Sequence, residues 1–326
     1  MNRNLCVCQD FLTGAHKARI TAAAEAAGFT PHFFTPEQFD EASACLQDCE
    51  VLFSHIPELL RTAPASLKWY CCSYAGVDPY CKDPSLFANP DCLLTNSSGA
   101  YGVTIAEHIV MVTLMLLRQM PAYQADMARD GWVDGPKPIR SIFGSRVTVL
   151  GTGNIGTTFA HRAQGLGAAR ITGVCRSGRN DDPVYDEVLP ISRLEEALPE
   201  TDLLVMALPG TPETAHILNR ERIALLPAHA YVVNVGRGTA IDQEALSDAL
   251  NADRLAGAAL DVMDPEPLPM DHFLRSAKNL LLTPHISGNM ALGYTRDITV
   301  DMFCEDLANY AAGRPLAHLV DRKLGY

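Results

Sequence analysis

Positive charge is scarce in this chain: 26 lysines and arginines stand against 38 aspartates and glutamates, a formal net charge of −12. Nucleic acid wants a basic face, so no nucleic-acid partner is expected. The same deficit means that a small anionic ligand must be captured by a local cation, against the field of the whole molecule. Metal-binding spacing is missing too. Of ten cysteines, Cys6 and Cys8 flank one residue, Cys45 and Cys49 are four apart, and Cys71 and Cys72 are adjacent. No CxxC pair or Cys/His cluster occurs, so neither a metal site nor a disulfide framework is expected. The longest apolar run, Ile105 to Leu117, is interrupted by Glu107 and His108 and is too short to span a bilayer. Met1 to Asp10 holds no hydrophobic run of export length. These absences predict a cytoplasmic chain with reduced thiols and no membrane partner. Internal repeats and low-complexity tracts are absent as well.

What is present is a globular composition, 48% hydrophobic and 20% charged over 326 residues, enough for about two domains of roughly 150 residues each. In the first hundred residues, Asn4–Gln9, His32–Phe34, Val51–Ser54 and Lys68–Ser73 read as strands. Between them Thr21–Ala27 and Pro36–Cys49 read as helices, the alternation of a parallel α/β layer. Small residues from Ser97 to Gly102 predict a linker. An apolar helix follows from Thr104, its expected N-cap, to about Met120, buried in a core or in an oligomer interface. A second series of strands then reads as Val147–Leu150, Ile171–Val174, Leu203–Ala207, Tyr231–Val235, Gly257–Val262 and Leu280–Leu282. Several are continuously apolar, as a sheet covered on both faces requires. Met290 to about Ala312 predicts a closing helix.

The run from Val147 through Gly156 is G-x-G-x-x-G directly after a strand, with Ile155, Phe159, Ala160 and Ala163 following at helical spacing. Gly151 suits a tight turn, Gly153 a close backbone approach to a diphosphate, and Gly156 tight helix–strand packing. The amides opening the helix, at Asn154 and Ile155, complete an anion site. This context predicts a dinucleotide. About 20 residues on, where an acidic side chain would select NAD, stand Arg176, Ser177 and Arg179. Two arginines there suit a 2′-phosphate, so NADP is the expected cofactor, with NAD possible.

Arg237, Glu266 and His285 each lie just beyond a predicted strand, at the edge where open α/β sheets bind ligands. Together they fit the reduction of a 2-oxo acid. Arg237 can clamp the carboxylate in a bidentate fork. His285 can donate a proton to the developing alkoxide, and Glu266 can favour the charged form of that imidazole.

These residues sit in motifs similar to those of the D-isomer-specific 2-hydroxyacid dehydrogenases. In order they are Ser73–Asp78 (SYAGVD), Thr104–His108 (TIAEH), the glycine fingerprint, Leu208–Thr214 (LPGTPET), Asn234–Gly238 (NVGRG), Leu260–Val262 (LDV) through Glu266–Pro269 (EPLP), and Thr283–Gly288 (TPHISG). The resemblance covers nearly the whole chain and is nearest to glyoxylate/hydroxypyruvate reductases. It implies two doubly wound, Rossmann/flavodoxin-like α/β domains with parallel sheets and the catalytic cleft between them. Residues 1–99 plus 290–326 would bind substrate, and residues 100–289 would bind the dinucleotide. It also implies that backbone amides of Tyr74, Ala75 and Gly76 hold the substrate carboxylate, and that Leu208, Pro209, Thr214, Val235, Gly236, Asp261 and Gly288 border the cofactor. A homodimer through the Thr104–Met120 helix is expected. The alternatives are a 3-phosphoglycerate or other D-2-hydroxyacid dehydrogenase, disfavoured by the lack of a cation near Gly76 before Lys82, and a dinucleotide-sensing corepressor-like protein that shares the same motifs.

Overall fold

Apolar runs that alternate with amphipathic segments favour parallel strands buried on both faces and joined by helices. The computed structural model describes residues 3–132 and 135–325 and contains this arrangement twice. One unit comprises residues 1–101 with 289–326, the other residues 102–288.

The strands are β1 (Arg3–Cys8), β2 (Phe29–Phe34), β3 (Cys49–Ser54), β4 (Trp69–Cys72) and β5 (Leu93–Thr95) in the first unit. In the second they are β6 (Arg146–Leu150), β7 (Arg170–Cys175), β8 (Glu187–Pro190), β9 (Leu203–Met206), β10 (Tyr231–Asn234), β11 (Gly257–Leu260) and β12 (Leu280–Leu282). The helices are α1 (Gly14–Ala26), α2 (Phe39–Leu46), α3 (Pro57–Arg61), α4 (Asp78–Lys82), α5 (Gly102–Leu117), α6 (Met120–Asp130), α7 (Asn154–Gly165), α8 (Leu194–Ala197), α9 (Arg220–Leu225), α10 (Gln243–Asn251) and α11 (Gly293–Ala311).

The first sheet runs β2-β1-β3-β4-β5, all parallel, which is the flavodoxin-like order. Successive residues supply opposite faces. Leu5, Val7, Val51, Phe53, Trp69 and Cys71 pack on one side, and Cys6, Cys8, Leu52, Tyr70, Cys72 and Leu94 on the other. The cysteines serve here as small apolar side chains, and burial pushes the Cys8 and Cys72 thiols up to about 11. The chain's last helix closes the first face. Phe303 of α11 stacks on Phe53 with ring centroids 4.3 Å apart and on Trp69 at 5.5 Å, and Asp297 meets His16 of α1 at 3.0 Å.

The second sheet runs β12-β11-β10-β9-β6-β7-β8, again all parallel. Its order reverses between β6 and β9, and dinucleotides bind at such a switch point in doubly wound sheets.

The long apolar helix differs from its expected span. It starts at Gly102, not Thr104, and ends at Leu117. Gly102 lies under the Asn154 and Thr158 side chains of α7, where a Cβ would collide. Gln119, at φ +57°, ends the run, and α6 restarts with Pro121 in its first turn. The expected helix over Pro36–Cys49 is a 3₁₀ turn followed by α2, and Cys49 already belongs to β3. Strands β5 and β8 have no counterpart among the strands expected from sequence. Among the described residues no single helix is long and apolar enough to cross a membrane. The pair α5 and α6 passes on length and composition but is bent by 58°.

Candidate active site

Each glycine of the fingerprint meets a different constraint in the second unit. Gly151 takes φ +102°, and a Cβ there would lie 2.6 Å from the Ala207 carbonyl at the end of β9. Gly156 faces the Gly151 carbonyl and the Val149 side chain so closely that no Cβ fits. Nothing lies within 4 Å of where a Gly153 Cβ would be. Two glycines therefore close the turn, and the third leaves open space at the N-terminus of α7. The early amides of that helix, at Asn154, Ile155 and Gly156, have no intrahelical acceptor, as at any helix start. Such a cradle fits a diphosphate.

The turn after β7 sits beside the fingerprint, since β7 pairs with β6. Arg176, Ser177 and Arg179 are exposed. Ser177 Oγ accepts the Arg179 amide at 3.3 Å, closing the turn. Burial pushes the Cys175 thiol up, but the hydroxyls of Ser177 and Thr152 and the amides of Arg179 and Gly178 outweigh it and leave the thiol below its ordinary range. Glu213 is held below the usual carboxylate range by its own amide and Thr211, with a contribution from Arg176.

Beyond β9, Leu208 and Thr214 are buried. Thr214 Oγ1 donates to the Pro209 carbonyl at 2.7 Å and accepts the Thr211 amide at 2.9 Å, knotting the loop. Beyond β10, Val235 and Gly236 are buried and Arg237 emerges half-buried. Here Asn234, not singled out from the sequence as a functional residue, shapes the turn. Its Oδ1 accepts the Gly236 amide at 3.0 Å, and its Nδ2 donates to the Arg237 carbonyl at 2.8 Å. A Cβ on Gly236 would lie 2.6 Å from the Leu208 carbonyl, and one on Gly238 would run into the Met263 backbone. The two glycines flanking Arg237 let three neighbouring loops close on one another. Arg237 Nη1 donates to the Gly236 carbonyl at 2.7 Å.

Glu266 and His285 follow β11 and β12, adjacent strands on the same side of β10. His285 Nδ1 lies 2.7 Å from Glu266 Oε2, and Glu266 Oε1 accepts the Met263 amide at 2.8 Å. With Nδ1 engaged, Nε2 is the ring nitrogen left to meet a substrate, on a side chain 49% exposed. His285 adopts φ +54°, uncommon for a residue with a Cβ.

Asp261 holds that backbone in place. The residue is 2% exposed. Its carboxylate accepts Thr283 Oγ1 at 2.5 Å and the amides of Ile286 and Ser287 at 2.9 Å each, and its carbonyl accepts the His285 amide at 2.8 Å. Burial, the largest single influence, pushes the Asp261 carboxyl up, but these hydrogen bonds together hold it below the ordinary range. His108 of α5 completes the cluster, its Nε2 3.3 Å from Thr283 Oγ1 and 3.8 Å from Asp261. Burial, partly offset by Asp261, keeps this imidazole below its usual range. Sequence reasoning assigns His108 and Thr283 no role. A histidine inside an apolar helix is the signal for the first, and Thr283 carries none beyond its motif. Gly288 ends the second unit, half-buried.

The Tyr74–Gly76 turn belongs to the first unit, after β4. Its carbonyls are engaged by the following segment. The Ser97 amide donates to Tyr74 O at 3.1 Å and Asn96 Nδ2 to Ala75 O at 2.6 Å, while Tyr101 donates to Ser73 O at 2.8 Å. The amides of Ala75 and Gly76 have no acceptor among the described residues. Among the described residues no group of three or more His, Cys, Asp or Glu side chains could hold a metal ion.

Comparison with known proteins bears on the family and the fold. The model of the D-isomer specific 2-hydroxyacid dehydrogenase NAD-binding domain matches residues 110–287. A glyoxylate/hydroxypyruvate reductase of Arabidopsis thaliana is 28% identical over 96% of this chain and 93% of its own length. A crystal structure of a D-isomer specific 2-hydroxyacid dehydrogenase family protein from Aeromonas salmonicida superposes with TM-score 0.83 at 30% identity, covering 99% of this chain and 100% of the other. An NADPH-dependent glyoxylate/hydroxypyruvate reductase from Sinorhizobium meliloti, in complex with NADP and sulfate, gives TM-score 0.79 at 26% identity with 100% of both chains covered.

Proposed function

Because this chain belongs to the D-isomer specific 2-hydroxyacid dehydrogenase family, whose members act on small 2-hydroxy acids with a nicotinamide dinucleotide, we propose that it works as an NADPH-preferring reductase of a small 2-oxo acid such as glyoxylate or hydroxypyruvate. The observation that carries the reading is the 2.7 Å contact of His285 with Glu266, on the loops after β12 and β11, two strands on one side of the β10 that delivers Arg237.

The bound dinucleotide supplies the hydride that reaches C2 of the substrate. Arg237 pairs with the substrate carboxylate and fixes the direction in which the carbonyl points. His285, protonated, donates from Nε2 to the carbonyl oxygen as negative charge grows there, giving the 2-hydroxy acid. Glu266 fixes the ring orientation through Nδ1, and the Met263 amide keeps the carboxylate aimed. The amides of Ala75 and Gly76, which have no acceptor among the described residues, support the reading of the Tyr74–Gly76 turn as substrate-binding. Gly151, Gly153, Asn154, Ile155 and Gly156 cradle the diphosphate, and Leu208, Pro209, Thr214, Val235, Gly236, Asp261 and Gly288 border the rest of the cofactor. Arg176, Arg179 and Ser177 form the 2′-phosphate site, a reading supported by their exposure on the turn beside the glycine fingerprint. Met111 and Leu114 of α5, exposed by 46% and 37%, support a homodimer through this helix.

The test is the loss of reduced-nicotinamide absorbance with NADPH and NADH in parallel against glyoxylate, hydroxypyruvate, pyruvate and a bulkier 2-oxo acid. Rapid NADPH oxidation with the small acids is expected. Tight NADPH binding without turnover of any of them would remove the reductase reading.

A further inference from the structure

The first sheet has a switch point of its own. Strands β2 and β3 lie on opposite sides of β1, so the loops after β1 and β3 diverge and leave a crevice at the carboxyl ends of the strands. A cavity of ≈ 370 Å³ lies there, bordered by Asp10 and Phe11 after β1, His55 after β3, Tyr74 after β4, and Met290 and Arg296 of the C-terminal segment.

Two opposite charges border this cavity without meeting each other. Neither Asp10 nor the Arg296 guanidinium makes an ion pair or hydrogen bond with any described residue, and Arg296 Nε is buried without an acceptor. His55 spends Nδ1 on Gln9 Oε1 at 3.0 Å, an oxygen that also accepts Ser73 Oγ at 3.1 Å. Burial, partly offset by Asp10, holds His55 below its ordinary range, which favours the neutral ring. The Tyr74 ring lies against it, with centroids 4.8 Å apart.

Charge decides what this cavity accepts. One cation, one carboxylate and a neutral imidazole sum to zero. An anionic group reaching Arg296 would also meet Asp10, and an apolar group would leave the buried Arg296 donor unpaired. A hydroxyl donates and accepts at once, so it can satisfy Arg296 together with Asp10 or His55, and Phe11 and Tyr74 cover the carbon chain. Tyr74 also opens the Tyr74–Gly76 turn assigned above to the substrate carboxylate. We propose that this cavity holds an uncharged, hydroxylated tail of the substrate, which makes the preferred substrate a polyhydroxylated 2-oxo acid longer than glyoxylate. The assignment deepens the reductase reading and rests on it.

A matched four-carbon series tests it: 2-oxobutanoate, 3,4-dihydroxy-2-oxobutanoate and 2-oxosuccinate differ only in the tail. Each is assayed with NADPH on the full chain, wild type, Arg296→Met and Asp10→Asn. Calorimetry measures binding of the dihydroxy acid to the cofactor-free protein. The wild type is expected to favour the dihydroxy acid over 2-oxobutanoate in kcat/KM by about tenfold to a hundredfold, the worth of a hydrogen bond to a charged group. Both variants shrink that ratio, mainly through KM, and Asp10→Asn improves 2-oxosuccinate. A wild-type ratio near one, a ratio that neither variant changes, or preference for 2-oxosuccinate overturns the subsite. If no acid is reduced but the dihydroxy acid binds and Arg296→Met abolishes binding, the reductase reading falls and the subsite stands. If glyoxylate turns over but the dihydroxy acid does not bind, the subsite falls and the reductase reading stands.

Discussion

Replacing His285 by alanine removes the proposed proton donor and leaves the glycine turn and Arg237 in place. Turnover is expected to fall by about 10²–10⁴, with NADPH affinity, read by fluorescence titration, nearly unchanged; a parallel loss of affinity would assign His285 to the cofactor instead. Glu266→Gln is more informative. The Met263 amide, 2.8 Å from Oε1, obliges the new side chain to turn its oxygen that way, so its NH₂ faces His285 Nδ1. An amide in that pose cannot support a charged ring. We expect kcat to drop by about tenfold or more while KM moves little. Asp261→Asn acts one step further out. Each carboxylate oxygen accepts a backbone amide, so an NH₂ in place of either oxygen opposes a donor. A stability loss of about 1–3 kcal/mol in thermal melts, from the donor left unsatisfied, should accompany the fall in kcat as the loop holding His285 at φ +54° loosens. Residue chemistry of this kind was legible for Arg237, Glu266 and His285, because a charged side chain after an apolar strand stands out. Asn234, Thr283 and His108 were not: Asn234 bonds only backbone groups of its own turn, and Thr283, His108 and Asp261 are distant in sequence and meet through side chains that only the fold brings together.

At the scale of elements, the proposed NADPH preference rests on the turn after β7. Arg176→Ala and Arg179→Ala are each expected to weaken NADPH by about tenfold, as loss of one charge-assisted contact does, with NADH kinetics little altered. The ratio of kcat/KM for the two cofactors reads the effect. Equal losses with both cofactors would show that these arginines only shape the turn. Most strands could be read because parallel strands buried on both faces are continuously apolar, as in Val147–Leu150 and Leu203–Met206. The two that escaped, β5 and β8, are three- and four-residue strands at the sheet edges, where half the packing that writes the pattern is gone. The start of α5 escaped for another reason. Thr104 has the chemistry of a cap, but the helix begins where Gly102 allows α7 to approach, a constraint set by an element about fifty residues away in sequence. Gly153 and Gly156 make the reverse case. Their spacing announced the turn because the strand, the turn and the helix are contiguous.

For the molecule as a whole, the chain starts and finishes in one unit, and Glu50 is where its ends are tied. Its carboxylate takes Arg3 of β1 at 2.9 Å, Tyr310 of α11 at 2.7 Å and Lys68, just before β4, at 3.3 Å. The hydrogen bonds from Arg3, aided by Tyr310 and opposed by burial, hold the Glu50 carboxyl at about 2. A carboxyl depressed in the folded state stabilises the fold above its unfolded value, about 4.3, and loses that contribution as pH falls toward 2. Glu50→Gln should therefore cost about 1–2 kcal/mol at pH 7, after allowance for solvent screening of a partly exposed group. The gap to the wild type should stay constant above about pH 5 and close as the pH falls toward 2. The two tryptophans make the readout specific. Trp69 is fully buried in the first unit and Trp132, in the second, is 77% exposed, so a red shift of tryptophan emission reports the first unit. Two units with separate cores need not unfold together. The Glu50→Gln red shift is expected to come at lower temperature than the loss of NADPH binding, which follows the second unit. A single coincident transition, lowered equally by both probes, would mean that the chain melts as one body and that Glu50 steadies all of it.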